Sequence, residues 1–433
     1  MNASAIKGAR YTLFLLFLIN FLNFFDRVIP AVVLEPLRKE FSLGDTQLGM
    51  LSTAFTLIYA VAGIPLGRLA DRVKRTRILG AGVFAWSLMT AASGLATNYI
   101  SLFLIRLGVG VGEASCAPAA NAMIGDLYPS EKRARALGFF MLGLPIGNIA
   151  AFSLVGVLAH TYGWRVPFFL AAAPGLLLVP LTLSLKEPVR GAQEARAVDP
   201  TTAIEKPFLR ILTIPTVWWI ILSGAAANFA AYAMNAFLPA LLMRYHGLNI
   251  KQAGGVSSLI VGLTGLIGLT AGGALADRLH QIFPRGRLTF GAVCLLVASP
   301  LLWFGLGQPI GGVALLCLFS SVGWLLFYVY YVTVYSALQD VVESRLRATA
   351  MAVYFFFQYV LGAAFGTTVA GALSDAYAKR AMADAGAQEM TNVFRAQGLQ
   401  ASMQLTVPLA VLVTGVALWF ASRSFVADAK RAR

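Results

Sequence analysis

Apolar runs of twenty or more residues recur from one end of the chain to the other, separated by short polar segments rich in Arg, Lys and Gly. A membrane-spanning helix needs about 20 such residues to cross roughly 30 Å of hydrocarbon. Twelve runs qualify: residues 11–34, 46–69, 78–97, 99–126, 134–158, 165–185, 214–243, 252–275, 287–306, 309–338, 347–373 and 402–422. The pattern predicts an all-α polytopic membrane protein. The short alternating strands of a β-barrel are absent from the sequence. One hydrophilic break, Lys186 to Arg210, holds three prolines and mixed charge and reads as a linker. It predicts a six-helix bundle over 1–185, a linker over 186–210 and a second six-helix bundle over 211–433. A further polar stretch, Ser374 to Gln404, is expected to lie between the last two spans and to include a short interfacial helix.

The two predicted halves repeat each other. Gly67-Arg-Leu-Ala-Asp71-Arg72-Val returns 206 residues on as Gly273-Ala-Leu-Ala-Asp277-Arg278-Leu, each copy where an apolar run ends. Glu131-Lys-Arg133-Ala-Arg135-Ala136 returns 212 residues on as Glu343-Ser-Arg345-Leu-Arg347-Ala348. Two unrelated phrases repeating at nearly one interval imply a duplicated half-molecule. In a membrane chain, that duplication marks an alternating-access carrier.

Composition agrees: 58% of residues are hydrophobic and only 12% charged, which no water-soluble fold accommodates. An even number of spans puts both termini on one side. That side carries 24 of the 34 Lys and Arg residues, so the positive-inside rule makes it cytoplasmic, in a plasma (inner) membrane. The formal charge of +15 then needs no nucleic-acid partner, because a basic rim meets anionic membrane lipid. The first span holds Asp26 and Arg27 with no small-residue cleavage site behind it, unlike a signal peptide. Cys116, Cys294 and Cys317 lie in apolar runs without motif spacing, so neither a disulfide framework nor a metal site is expected. No nucleotide-binding loop and no cofactor motif occurs, so uphill transport would draw on an ion gradient.

Four charges fall toward span centres rather than at span ends: Asp26 and Arg27 in the first, Arg106 and Glu113 in the fourth. Each costs roughly 2.5–3.5 kcal/mol even on the mildest scale, so they must face a cavity or one another. The alternative is a structural ion pair that locks the two helices together. A rise of about 1.5 Å per residue sets Asp26 level with Arg106 and Glu113 about 10 Å deeper. On that geometry Glu113 is the expected proton-coupling acid, since burial disfavours its charged form. Arg27 and Arg106 suit an anionic head group through paired hydrogen bonds. Asp26 is expected to hold one of those arginines when substrate is absent.

The repeated loop reads as a gate. Gly67 is expected to let the second span approach a neighbour closely, and Asp71, repeated as Asp277, to bind the positive N-terminal end of another helix. Arg72, Arg75 and Arg77 are expected to pair with acids such as Asp126 or Glu131, with Arg135 in the same gating set. For the arginines the alternative is simple topology. The second half offers a different lining: Asn228, Tyr232 and Asn235 at helical spacing in one run, and Trp324, Tyr328, Tyr331 and Tyr335 in another. Such a surface suits an amphiphile, and ordinary packing is the alternative.

GRLADRVKRTR between the second and third spans resembles the signature loop of the major facilitator superfamily, with Gly67, Asp71, Arg72, Arg75 and Arg77 in its pattern. NFFDRVIPAVVLEPL in the first span and RLGVGVGEASCAPAA in the fourth are similar to Spinster-type lipid transporters, compact prokaryotic relatives included. That resemblance implies a monomeric major facilitator fold, with Glu113 and Asp26 in proton coupling and a charged central cavity for substrate. Animal members carry lysophospholipids or sphingosine-1-phosphate. Gly143-Leu-Pro145-Ile-Gly147 partly resembles the superfamily's antiporter motif but lacks its Gly-Pro pair.

Three readings follow. The first is a proton-coupled transporter of amphipathic anions such as lysolipids, with membrane lipid around it. The second is a proton-coupled transporter of small soluble anions, organic acids or sugar phosphates, which two cavity arginines also suit. The third, an enzyme or channel, finds no catalytic set: His160, His246 and His280 all fall near span ends.

Overall fold

The computed structural model describes residues 3–189, 207–283, 285–343 and 346–431. Those residues form helices and connecting turns, with no strand among them. Most of the linker expected at 186–210 lies outside the described residues. By its contacts the chain divides into two units, Met1–Phe41 with Ala54–Thr202, and Ser42–Thr53 with Ala203–Arg433.

The first unit is built from α1 (Ala3–Val32), α2 (Leu34–Phe41), most of α3 (Asp45–Arg72), α4 (Arg75–Ser93), α5 (Tyr99–Glu113), α6 (Cys116–Leu127), α7 (Ser130–Met141), α8 (Gly143–Tyr162) and α9 (Val166–Leu183). The second holds α10 (Pro207–Leu212), α11 (Pro215–Arg244), α12 (Ile250–Ser257), α13 (Thr264–Ile282), α14 (Gly286–Leu306), α15 (Val313–Asp340), α16 (Arg347–Phe357), α17 (Ala364–Asp384) and α18 (Asn392–Arg431). Wider π-helical turns, Ser258–Leu263 and Gln358–Ala363, join α12 to α13 and α16 to α17.

Among the described residues, eleven spans are long and apolar enough to cross a membrane. The run at 78–97 forms α4, which is 19 residues long and helical where expected. It buries Thr76, Ser87, Thr90 and Ser93 and carries Arg75 and Arg77 in its first turn, which lowers its apolarity below that of the others. The interfacial helix expected within 374–404 is not there. Instead α17 continues to Asp384 and α18 starts at Asn392, because a helix already begun keeps its backbone hydrogen bonds past the end of its apolar face.

The duplication appears as matching ion pairs inside each unit. In the first, Arg75 at the start of α4 pairs with Asp126 near the end of α6. In the second, Arg287 at the start of α14 meets Asp340, the last residue of α15, at 3.2 Å. α4 packs on α9 as α14 packs on α18. Helix starts are sealed by carboxylates from distant sequence: Glu187 accepts from the Arg75 and Thr76 amides, both at 3.1 Å, and Asp428 from the Thr216 amide at 3.0 Å. Each meets exposed N–H groups with negative charge where the helix dipole favours it.

The first turns of α3 group with the second unit for the same reason. Asp375 accepts from the Asp45 and Thr46 amides at 3.0 and 2.9 Å, and Asp45 itself holds Arg244 at 2.7 Å and Ser374 at 2.6 Å. Asp45 and Arg244 are both almost wholly buried.

Candidate functional site

Glycine brings the helices of the first unit close enough to share side chains. A Cβ on Gly112 would lie 2.7 Å from the Trp86 amide of α4, and one on Gly110 2.5 Å from Ile58 of α3. On Gly143 and Gly147 of α8 it would press to 2.8 Å against the Phe21 backbone of α1, so that stretch is a helix contact of the small-residue kind. Gly67, expected to serve close approach, does not: a Cβ there would rest 3.8 Å from Pro118, an ordinary contact that alanine would fill.

Pro118 shapes the site. It has no N–H to offer the Ala114 carbonyl, so the fourth span breaks at Ala114–Ser115 and α5 ends at Glu113. Glu113 is wholly buried, and its Oε2 accepts from Arg27 Nε at 2.7 Å. The Arg27 guanidinium also lies 4.4 Å from the centre of the Tyr59 ring, 5.2 Å from Phe24 and 5.4 Å from Phe55. Arg106 lies 5.1 Å from that same Phe55 ring. One aromatic ring thus attracts two like charges through its quadrupole, which helps hold them in one small site.

Asp26 differs from expectation. It accepts from Thr90 Oγ1 at 2.7 Å and forms no ion pair among the described residues, while Glu113 takes the arginine. Consecutive residues point roughly 100° apart around a helix, so Asp26 and Arg27 turn to different neighbours, α4 and α5. Arg106 is 4% exposed and forms no ion pair among the described residues, although it lies in the field of Glu113, Asp26 and Arg27. Its Nη1 and Asp26 Oδ1 are buried without hydrogen-bond partners among those residues. Asn23 sits beside the Glu113 carboxylate, short of hydrogen-bond geometry. The arrangement is two cations and two carboxylates in an apolar bundle, one pair closed and the other two groups without an ion pair among the described residues.

Thr90, Phe55 and Tyr59 are absent from the sequence reading, and nothing in their own spans marks them. Asn23 carries a signal: Asn20, Asn23 and Arg27 form a polar stripe at spacings of three and four along α1.

The second unit engages its polar groups with one another. Asn228 donates to the Gln358 carbonyl in the π-helical turn at 3.4 Å and accepts from the Tyr331 hydroxyl at 3.4 Å. Tyr330 and Tyr354 share a 2.7 Å hydrogen bond, with Ser223 at 3.3 Å from Tyr330. Tyr328 is buried edge-on against Trp324. Asn235 bonds back to its own helix at the Ala231 carbonyl, 2.7 Å away, and Tyr232 is partly exposed. Of the gating set, Arg75 pairs with Asp126, Arg72 and Arg135 are exposed, and the side chains of Asp71, Glu131 and Asp277 lie outside the described residues.

The model of the Major Facilitator Superfamily matches residues 16–367. The chain belongs to that superfamily. It is 30% identical over 412 residues to an MFS-type efflux pump of Mycolicibacterium smegmatis, covering 95% of this chain and 92% of the relative. It is also 30% identical over 392 residues to protein spinster homolog 1 of Xenopus laevis, covering 87% of this chain and 74% of the relative. A solved bacterial homologue of the human lysosomal transporter Spinster, in an inward-facing and unoccupied conformation, superposes with a TM-score of 0.88 at 28% identity, covering 97% and 98% of the two chains. This superfamily member is a transporter of Spinster type, integral to the membrane and not an enzyme.

Proposed function

We propose that this Spinster-type chain is a proton-coupled secondary active transporter of amphipathic anionic lipids, such as lysophospholipids or sphingosine-1-phosphate-like molecules. It works by rocker-switch alternating access, as a monomer in the plasma (inner) membrane with both termini cytoplasmic. The observation that carries the reading is Arg106, a buried guanidinium without an ion pair among the described residues, beside an arginine that a buried glutamate holds. Ionised Glu113 keeps Arg27 closed. A proton delivered from water to the Glu113 carboxylate removes its charge, and Arg27 is then released to join Arg106 on an incoming anion.

Charge balance sets the coupling. Two arginines and two carboxylates sum to zero, and an apolar bundle penalises any departure from that sum. A singly charged phosphodiester is matched by one proton on Glu113, and the second charge of a phosphomonoester by one on Asp26.

Proton-driven flux in proteoliposomes tests this, with lysophospholipid, a sphingosine-1-phosphate-like lipid and small organic anions as cargo. Gradient-dependent lipid flux that disappears in Glu113→Gln supports the reading. Gradient-driven flux undiminished in that variant would move proton coupling to Asp26, and flux of small anions alone would overturn the lipid assignment.

A further inference from the structure

Behind the break in the fourth span lies a second site that the charged cluster does not use. Leu66 and Leu69 of α3, Val73 just past its end, Ala81 and Ala85 of α4 and Val111 of α5 line a groove of about 440 Å³ together with Gly112 and Ser115. Leu69, Val73 and Val111 are 46%, 38% and 42% exposed, as apolar side chains are where a membrane protein meets lipid rather than water. Arg77 stands at one end of the groove, exposed and without an ion pair among the described residues. Arg72 and Lys74, shortly before it in sequence, are also exposed.

From Arg77 to Ala85 the groove runs about 12 Å along α4 at 1.5 Å per residue, most of the depth of one leaflet in a core of roughly 30 Å. An acyl chain fits that length and volume, and the rim supplies charge where a lipid phosphate would lie. We infer that this groove binds one anionic phospholipid of the surrounding bilayer, its chain against Ala81 and Gly112 and its phosphate on Arg77. Chain burial alone gives no preference, because the bilayer solvates acyl chains equally well; selectivity therefore resides in the head group. The bound lipid would rest on the reverse side of the turn that presents Glu113. It is a resident ligand and does not depend on what the transporter carries.

The test is native mass spectrometry of the full chain in detergent with equimolar phosphatidylglycerol and phosphatidylcholine of identical acyl chains. The intact chain is expected to retain phosphatidylglycerol preferentially, by about fivefold for one well-placed basic residue. Arg77→Gln should bring that ratio close to one, whereas Lys430→Gln, an exposed charge in the second unit, should leave it unchanged. Ala81→Phe fills the groove from an exposed helix position and should expel both lipids while keeping the unfolding temperature. Equal retention of the two lipids by the intact chain, or equal losses in Arg77→Gln and Lys430→Gln, would overturn the proposal. So would loss of the lipid in Glu113→Gln, which would identify it as cargo of the charged cluster.

Discussion

The fourth span of the first unit and its counterpart in the second start from one ancestral plan and end in opposite chemistry. Asp126 near the end of α6 and Asp340 at the end of α15 make equivalent ion pairs, which fixes the alignment between the two spans. On that alignment Arg106 corresponds to Ser320, Glu113 to Phe327 and Pro118 to Val332. With proline the first span breaks and presents a buried glutamate; with valine α15 runs unbroken and stacks Trp324 on Phe327 at 4.5 Å between ring centres. The charges near span centres collect in the first unit. The matching stretches of the second hold neutral groups, several of them bonded to one another, and its irregularity takes the form of π-helical turns, which recur at functional sites. A duplicated fold can thus divide its chemistry, one half holding the charges near span centres and the other the aromatic surface.

The largest expected effect comes from opening the closed pair. Arg27→Met leaves Glu113 buried beside no hydrogen-bonded cation, and breaking a buried pair from one side costs about 3–5 kcal/mol. Thermal unfolding in detergent should show that loss in Arg27→Met and recover most of it in Arg27→Met/Glu113→Leu, since replacing both partners removes the stranded charge. A double variant no more stable than the single would mean that Glu113 is held by groups other than Arg27.

The proline comparison comes next. Val332→Pro should break α15 at a cost of about 3 kcal/mol, having removed a backbone hydrogen bond from a continuous helix. Pro118→Ala should cost little stability, because the Ala114 carbonyl regains its donor, yet should lower transport by straightening the turn that aims Glu113. Unchanged transport in Pro118→Ala would detach the break from function. A smaller effect, about 0.5–1.5 kcal/mol, is expected for Tyr330→Phe, which deletes the hydroxyl shared by Tyr354 and Ser223.

The architecture was legible in the sequence because its signals are long: apolar runs, a repeated phrase and charges too costly to leave in hydrocarbon without purpose. Asp26, Arg27, Arg106 and Glu113 stood out on that cost alone, and all four gather in one cluster. Their pairing was not legible, because helix rise gives depth and leaves azimuth to packing, so Asp26 looked like the partner that Glu113 turns out to be. Phe55 and Tyr59 look like any aromatic in an apolar span until two guanidiniums lie over them. Gly67 misled for a related reason: its place in a repeated phrase said nothing of the space around it, whereas the tight contacts fall at Gly110 and Gly112.

Burial, finally, can be separated from pairing by a second carboxylate in the same unit. Glu40 accepts from Arg165 at 2.6 Å and from Trp164 Nε1 at 2.5 Å, near the end of α2, with its side chain 38% exposed. The Arg165 hydrogen bond holds its carboxyl below the ordinary value of about 4.5. A depressed folded-state value means that the pair stabilises fully above the unfolded-state value and loses its contribution as pH falls through the folded-state one. Glu40→Gln should therefore lower the unfolding temperature slightly at pH 7, and the gap from the intact chain should close as the pH drops well below 4.5. Water screens this exposed pair, so the effect should be far smaller than that of Arg27→Met. Were the two losses equal, the buried cluster would owe its strength to ion pairing as such, and its isolation from water would add nothing to it.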